Sequence, residues 1–287
     1  MVVQHNITAM NSNRMLGLTT SAQAKSSEKL SSGYKINRAA DDAAGLAISE
    51  KMRRQIRGLT QASANAQDGI SCVQTAEGAL NEVHDMLQRI NELSVKGENG
   101  TLTSLDRSFI SMEVQQLMSE IDRVSSTTTF NEQSLLDGSF SGGVGLQVGA
   151  EAGQHINITI SAMNVAGLGG KVGGTALTDM QTFYNWDQKK EIESDDFNKL
   201  NTAIKSVMKE VSKQRSQLGA VQNRLEHTIN NLDNIVENTT SAEAQIRDTD
   251  IATEMVRYAN NNILQQAGTS MLSQANQTNQ LALSLLG

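Results

Sequence analysis

Aromatic side chains are scarce in this sequence, and proline is absent. Aromatic residues make up 3% of the 287 residues, and no position holds proline, whose average usage is about 5%. Because proline interrupts helices, its absence permits helices that run unbroken over long stretches. A small number of bulky rings suits thin seams between helices better than one thick core. The composition therefore predicts a mainly α, elongated molecule.

Other absences narrow the class of protein. The lone Cys72 excludes an internal disulfide and leaves the redox compartment open. A net charge of −7 argues against a nucleic-acid partner, because phosphates attract clustered Lys and Arg. No apolar run has the length of a membrane span, so no membrane insertion is expected. Residues 1–8 lack a basic n-region and a long apolar h-region, which predicts no secretory signal peptide and leaves open export without a cleaved signal.

The residue patterns of enzymes and cofactor sites are also missing. The four histidines, His5, His84, His155 and His227, are scattered without a second ligand at metal spacing. Residues 142–145 lack the Lys-Ser/Thr ending of a phosphate loop, so a surface turn explains them better. No motif places a base beside a Ser or Thr. We therefore expect no enzyme activity, no metal and no cofactor.

Two segments carry long heptad repeats, in which apolar residues recur in alternating steps of three and four. This spacing keeps one seam of a helix facing a partner helix. The first repeat comprises Met52, Ile56, Leu59, Ala62, Ala66, Ile70, Val73, Ala76, Leu80, Val83, Leu87, Ile90 and Leu93. The second comprises Phe197, Leu200, Ile204, Val207, Val211, Gln214, Leu218, Val221, Leu225, Thr228, Leu232, Ile235 and Thr239. The two helices are predicted to pack antiparallel, with the middle of the chain projecting from the far end.

Local signals divide the first half of the chain. Gly33 suits the end of a first helix, Asp41 or Asp42 can start the long helix, and the glycines of residues 97–100 stop it. A third helix follows, and its stripe consists of Ile110, Val114, Leu117, Ile121 and Val124.

The pattern changes after Thr129. Apolar residues alternate with polar ones on either side of a turn at residues 149–153, which predicts a small β-hairpin region at the far end. The alternating residues are Leu146, Val148, Ile156, Ile158 and Ile160. The glycines of residues 167–174 predict a flexible link. We expect Phe183, Tyr184 and Trp186 to cover an apolar seam near the projecting end.

Both ends of the chain lack charged side chains. Arg14 is the only Asp, Glu, Lys or Arg in residues 1–24, and none follows Arg257. Apolar residues nevertheless recur there at helical spacing. Because an isolated soluble helix normally keeps a charged face, we expect partner chains to bury these ends. Disordered polar tails are the alternative, and a membrane-surface helix is disfavoured because the polar faces lack Lys and Arg.

Several segments resemble the bacterial flagellins. The segments are LSSGYKIN at 30–37, DDAAG at 41–45, GLTQAS at 58–63, NAQDGI at 65–70, EGAL at 77–80, LGAVQNRL at 218–225 and ILQQAG at 263–268. They occur in the order found in that family. The resemblance extends over nearly the whole chain except about residues 161–195.

The resemblance implies a structural subunit of the extracellular flagellar filament, a helical homopolymer that serves motility. It implies export unfolded through the type III export apparatus, with an export chaperone, the filament cap and hook–filament junction proteins as further partners. Residues 1–42 and 248–287 would form the filament-core helical domain, disordered until polymerisation. Residues 43–160 and 196–247 would form the rod domain, and 161–195 a short variable segment. The polymerisation residues would be Ile7, Met10, Leu18, Ile263, Ala267, Met271, Leu283, Leu285 and Leu286.

A second role implied by the resemblance is recognition by Toll-like receptor 5, a host innate immune receptor. The implied receptor-binding residues are Gln88, Arg89, Glu92, Leu93, Ser94 and Glu113. Arg89 would be central, because a planar guanidinium presents several donors to a concave surface. The alternative interpretation is that Ile90 and Leu93 serve the helix seam, while Arg89 and Glu92 form an ordinary solvated face.

Two other function classes remain as alternatives. A host-contact signalling ligand or adhesin, with assembly secondary, is the first. An enzyme ranks below it, because some flagellins carry a metalloprotease in the variable segment and this chain has no His-Glu-x-x-His.

Overall fold

The fold is seen in a computed structural model that describes residues 6–172, 174–185 and 193–284; within these, side chains are described except at 171–177 and 279–284. The helices are α1 Ile7–Ser32, α2 Ala43–Gly97, α3 Ser104–Thr127, α4 Val165–Val172, α5 Gly174–Tyr184, α6 Ser194–Arg247 and α7 Ile251–Ser284. The strands are β1 Thr129–Phe130, β2 Gln133–Ser134, β3 Val144–Gln147 and β4 His155–Ile158, paired antiparallel as β1-β2 and β3-β4. The chain is mainly α, as predicted.

The chain divides into two compact units. Unit 1 comprises Met1–Ile56 and Glu237–Gly287, and unit 2 comprises Arg57–Val236. Helices α2 and α6 therefore contribute residues to both units. Within the part of the chain that is described, no helix is both long and apolar enough to cross a membrane.

In unit 2, α2 and α6 pack antiparallel along the predicted heptad seams. Gly97 lies against the Phe197 ring, whereas Gly69 lies near Leu225 further along both helices. The predicted seam positions of α2 from Leu59 to Leu93 are buried, except for the half-buried Ile70. Those of α6 from Phe197 to Leu218 are all buried. The antiparallel pairing predicted from the heptads is confirmed.

Helix α3 packs against this pair and runs in the direction opposite to α2. Its first turn is closed by a capping box, in which Thr103 Oγ1 accepts from the Asp106 N–H and Asp106 Oδ2 accepts from the Thr103 N–H. The Thr103 hydroxyl also donates to Asp106 Oδ2 at 2.7 Å, and this hydrogen bond, followed by that from the Thr103 N–H, lowers the pKa of Asp106. Of the predicted stripe, Ile110, Val114 and Ile121 are buried, and Leu117 and Val124 are half-buried against the same core.

The hairpin prediction is confirmed, but its predicted location at the far end is wrong. Strands β3 and β4 pair with Leu146 opposite Ile156. The turn residue Ala150 lies against Gly58 of α2, roughly 60 Å along the helix from Gly97. The physical reason is α3, whose 24 residues carry the chain about 36 Å back along α2 before the strands begin.

The predicted flexible link at residues 167–174 is also wrong, because those of its residues that are described belong to helices α4 and α5. Val165 and Leu168 of α4 are buried in the core of unit 2. The Val165 N–H donates to Asp122 Oδ1 at 2.8 Å, and the Gly167 N–H donates to Asn164 Oδ1 at 2.7 Å. Burial and capping thus outweigh the low helix propensity of glycine, about 1 kcal/mol per residue.

The aromatic residues near the start of α6 cover an apolar seam, as predicted. Phe183 is buried, with its ring centroid 5.1 Å from that of Phe197. Tyr184 is half-buried against the same core, and the Gln115 side chain donates to the Tyr184 carbonyl at 3.0 Å. Trp186 lies outside the described residues.

Candidate functional site

Helices α1 and α7 form an antiparallel pair within unit 1, which we call the terminal helix pair. Asn6 caps α1, since its Oδ1 accepts from the Ala9 N–H at 2.9 Å. Its Nδ2 donates to the Ala275 carbonyl of α7, also at 2.9 Å. Further along the pair, Leu16 lies close to Gly268. The uncharged ends identified in the sequence are thus brought together.

A set of backbone and side-chain contacts joins the segment that follows α1 to the segment that precedes α7. The Lys35 N–H donates to the Arg247 carbonyl, and the Thr249 N–H donates to the Gly33 carbonyl. The Arg247 guanidinium lies 4.6 Å from the centroid of the Tyr34 ring, a cation–π distance, and bonds Glu50 at 3.1 Å. Sequence reasoning missed these contacts, because no local pattern relates Tyr34 to Arg247. They fix where α1 ends and α7 begins relative to each other.

The terminal helix pair leaves most of its apolar side chains uncovered. Among described side chains, α1 buries only Ser26, and α7 buries only Glu254 and Ala275. We call the exposed set on α1 and α7 the terminal apolar surface. Its members are Ile7, Met10, Met15, Leu18, Met255, Val256, Ile263, Leu264 and Met271, each at least 51% exposed. Large apolar side chains are not left in water at this density unless something covers them.

The predicted polymerisation residues fall largely on this surface. Ile7, Met10, Leu18, Ile263 and Met271 belong to it, and Ala267 is exposed on the same helix as Met271. The Leu283 side chain, Leu285 and Leu286 lie outside what the structure describes. Met15, Met255, Val256 and Leu264 were not in the predicted set. The sequence signal for Met15 and Leu264 was the near absence of charge from the two ends, whereas Met255 and Val256 lie between Glu254 and Arg257 and had no such signal.

In unit 2, α2 and α3 bring together three charged residues that we call the Arg89 cluster: Arg89, Glu92 and Glu113. Arg89 donates to Glu113 Oε1 from Nε at 3.0 Å and from Nη2 at 2.8 Å, and from Nη1 to Glu92 Oε2 at 3.2 Å. The hydrogen bond to Glu113, followed by that to Glu92, raises the pKa of Arg89. All three side chains are about half exposed or more. The cluster is a preformed polar feature of the surface.

The other predicted receptor residues divide by burial. Gln88 is exposed, with its Nε2 atom 3.0 Å from His84 Nε2. Leu93 is buried in the helix seam, and Ser94 is fully buried with its hydroxyl donating to the Ile90 carbonyl at 2.8 Å. The side chains of Leu93 and Ser94 therefore belong to the interior, whereas Gln88 and the Arg89 cluster face solvent.

An exposed apolar residue adjoins the Arg89 cluster and was not predicted. Phe109 is 56% exposed and lines a shallow groove together with Lys96 and Glu113. Its sequence signal was its position directly before Ile110, which places it outside the buried stripe of α3.

No group of three or more His, Cys, Asp or Glu side chains that could hold a metal ion occurs among the described residues. Long antiparallel helices and a large uncovered apolar surface define instead a structural protein that associates with other chains.

Comparisons with known proteins identify the family. The model of the bacterial flagellin N-terminal helical region matches residues 3–141, and that of the bacterial flagellin C-terminal helical region matches residues 201–286. The chain is 49% identical to a flagellin of Halalkalibacterium halodurans and 46% identical to a flagellin of Bacillus subtilis. It is 47% identical to the flagellar filament 31.3 kDa core protein of Treponema maltophilum. Each alignment covers 100% of both chains. The chain belongs to the bacterial flagellins, a family of structural proteins.

Proposed function

We propose that this chain is a structural subunit of the extracellular bacterial flagellar filament and that its main partner is another copy of itself. The observation that carries the proposal is the terminal apolar surface, which no described part of the same chain covers. Membership in the flagellin family and the filament core protein of Treponema maltophilum among the relatives support it.

The driving force for assembly is burial of the terminal apolar surface between subunits. Fully burying one side chain of the size of Leu, Ile or Met contributes about 1.5–3 kcal/mol. The nine residues of that surface therefore offer a large apolar term once neighbouring copies cover them. Ordering the two helices opposes this term, because fixing the backbone costs about 1–2 kcal/mol per residue. Assembly and ordering of the ends are then one coupled event.

The proposed domain assignment keeps the bounds that the resemblance to the flagellins implies. Residues 1–42 and 248–287 form the part that lies in the filament core, 43–160 and 196–247 form the surrounding rod domain, and 161–195 is a short variable segment. An export chaperone, the type III export apparatus, the filament cap and the hook–filament junction proteins are further proposed partners, on the strength of family membership.

Seeded polymerisation tests the proposed function. Purified full-length chain mixed with short filament seeds should lengthen them, as seen by sedimentation and electron microscopy. A variant lacking residues 258–287 should not add to seeds, because it has lost most of α7 and half of the terminal helix pair. Its unit 2 should remain folded, with an unchanged main transition in thermal unfolding.

Normal filaments from the truncated variant would contradict the proposal. Failure of the full-length chain to lengthen seeds would instead favour the alternative, a host-contact signalling ligand or adhesin in which assembly is secondary.

We also propose that the chain is a ligand of Toll-like receptor 5, with the Arg89 cluster as the centre of the contact. The exposed guanidinium, held in place by Glu92 and Glu113, supports this proposal, since a pre-oriented Arg loses little freedom on binding. Gln88 and Glu113 extend the same polar surface. Leu93 and Ser94 contribute by holding α2 in shape rather than by direct contact.

Substitution of Arg89 tests the receptor proposal. Arg89→Ala should weaken the binding of monomer to the receptor ectodomain at least about fivefold in Kd, because a central arginine is a frequent hot spot. Arg57→Ala is the matched control, an exposed arginine on the same helix in the same unit, and should leave Kd unchanged. Equal Kd values for Arg89→Ala and the unmodified chain would show that the Arg89 cluster is not the centre of the receptor contact.

A further inference from the structure

The structure separates the methionines of this chain into two groups. Among the described residues, the four with exposed side chains are Met10, Met15, Met255 and Met271, at 68, 51, 58 and 61% exposure. All four lie in α1 or α7. The other described methionines are half-buried or buried, and three of them, Met118, Met163 and Met180, are at most 1% exposed in the core of unit 2. Among the described residues, exposed methionines therefore occur on the terminal helix pair and not in unit 2.

Two of the exposed methionines face the same groove. Met15 of α1 and Met271 of α7 line an open groove between the two helices, together with Leu16, Leu264 and Ala267. These apolar neighbours make the groove a place where another apolar surface can pack. Asn11, Ser12 and Thr19 line the same groove, but a polar atom at either methionine would still lose its water where another apolar surface covers it.

The thioether of methionine is open to a defined two-electron oxidation. A hydroperoxide transfers its terminal oxygen atom to the sulfur: a sulfur lone pair forms the new S–O bond and the peroxide O–O bond breaks. The leaving hydroxide or alkoxide takes the proton of the transferred OH group and departs as water or an alcohol. The sulfur is oxidised and the peroxide is reduced. The product sulfoxide is polar where the thioether was apolar, and methionine sulfoxide reductases return it to the thioether.

We propose that Met15 and Met271 form a reversible oxidation site, at which conversion to the sulfoxide by hydroperoxide blocks addition of the subunit to a filament. This inference rests on the proposed function, since it needs the terminal apolar surface to be a subunit contact. Oxidation replaces an apolar thioether by a polar sulfoxide, and moving the sulfoxide oxygen from water into an apolar subunit contact opposes assembly. The site is open before assembly and covered afterwards, so oxidation acts on the free subunit.

The test uses purified full-length chain treated with hydrogen peroxide until peptide mass mapping shows oxidation of the exposed methionines. The treated chain is then mixed with untreated seeds. We expect the lowest concentration that lengthens the seeds to rise at least about tenfold, with Met118, Met163 and Met180 unmodified. Treatment with methionine sulfoxide reductases A and B should restore growth, which damage to the fold would not allow.

Two variants localise the effect. Met15→Leu with Met271→Leu keeps the volume and apolar character of both side chains but cannot be oxidised there. This double variant should lengthen seeds equally well before and after peroxide. Met118→Leu is the matched control in the core of unit 2 and should remain sensitive to peroxide.

The possible results separate the two proposals. If the untreated chain fails to lengthen seeds, the proposed function is wrong and this inference falls with it. If the untreated chain polymerises and the oxidised chain polymerises equally well, the oxidation inference alone is overturned. It is likewise overturned if peroxide blocks the double variant as strongly as the unmodified chain, since Met10 or Met255 would then carry the effect.

Discussion

At the scale of single residues, the sequence predicted the buried seam positions correctly but not the contacts between surface residues. The heptad spacing alone places Ile90 and Leu93 in the seam, and both are buried. It cannot place Arg89 against Glu113, because the hydrogen bonds between them join two helices across 24 positions of sequence. Their proximity was implied only by the resemblance to the flagellins. Seam positions follow from a local period, whereas surface clusters depend on how helices are arranged.

Two glycines of α2 provide a matched pair at this scale. A Cβ added at Gly97 would lie 2.5 Å from the Phe197 ring, which is fully buried and packed on Phe183. Gly78 of the same helix has no atom within 4 Å of an added Cβ. Gly97 thus makes room for an aromatic ring, while Gly78 only lowers helix propensity.

Gly97→Ala should lower the free energy of unfolding by about 1–3 kcal/mol, because the buried ring has no space into which it can shift. Gly78→Ala should raise it by about 0.5–1 kcal/mol, as expected for an exposed helical glycine. Urea unfolding of the monomer, followed by circular dichroism, measures both. Equal shifts for the two variants would show that the contact between Gly97 and Phe197 has no energetic weight.

At the scale of elements, the long helices and the hairpin could be predicted from the sequence, whereas helix α4 and the place of the hairpin could not. The alternation of Leu146, Val148, Ile156, Ile158 and Ile160 correctly predicted a hairpin, whose observed strands run from Val144 to Ile158. Its place beside Gly58 depends on the return path of α3, which no pattern within the hairpin records. Helix α4 was missed for a similar reason. Its glycines predict a flexible link, and its helical state depends on the burial of Val165 and Leu168 in the core of unit 2. In both cases the outcome depends on the tertiary arrangement of the chain and not on the local sequence pattern.

The helices themselves differ in how they obtain stability. Helix α6 buries eleven residues, almost all of them in the seams of unit 2. Helices α1 and α7 bury three described side chains between them, and two of these, Ser26 and Glu254, are polar. Since most helical stability in proteins comes from packing one apolar face, α1 and α7 are poorly supported within a single chain. Their support must come from outside it.

At the scale of the whole molecule, the chain joins a self-sufficient unit to an incomplete one. Unit 2 contains a continuous apolar core that runs through α2, α3, α4, α5 and α6. Unit 1 ends in the terminal helix pair, whose apolar side chains face outward. Sequence composition predicted this contrast, because charge disappears from the two ends while apolar periodicity continues. The central claim is that α1 and α7 become stably ordered only among other copies of the chain.

Hydrogen exchange measured by mass spectrometry, on dilute monomer and on filaments of the same preparation, tests this claim most directly. In the monomer, amides of residues 7–32 and 251–284 should exchange rapidly while those of α6 within unit 2 stay protected. In the filament, both terminal segments should become as protected as α6. Terminal segments that are already as protected as α6 in the dilute monomer would contradict the account.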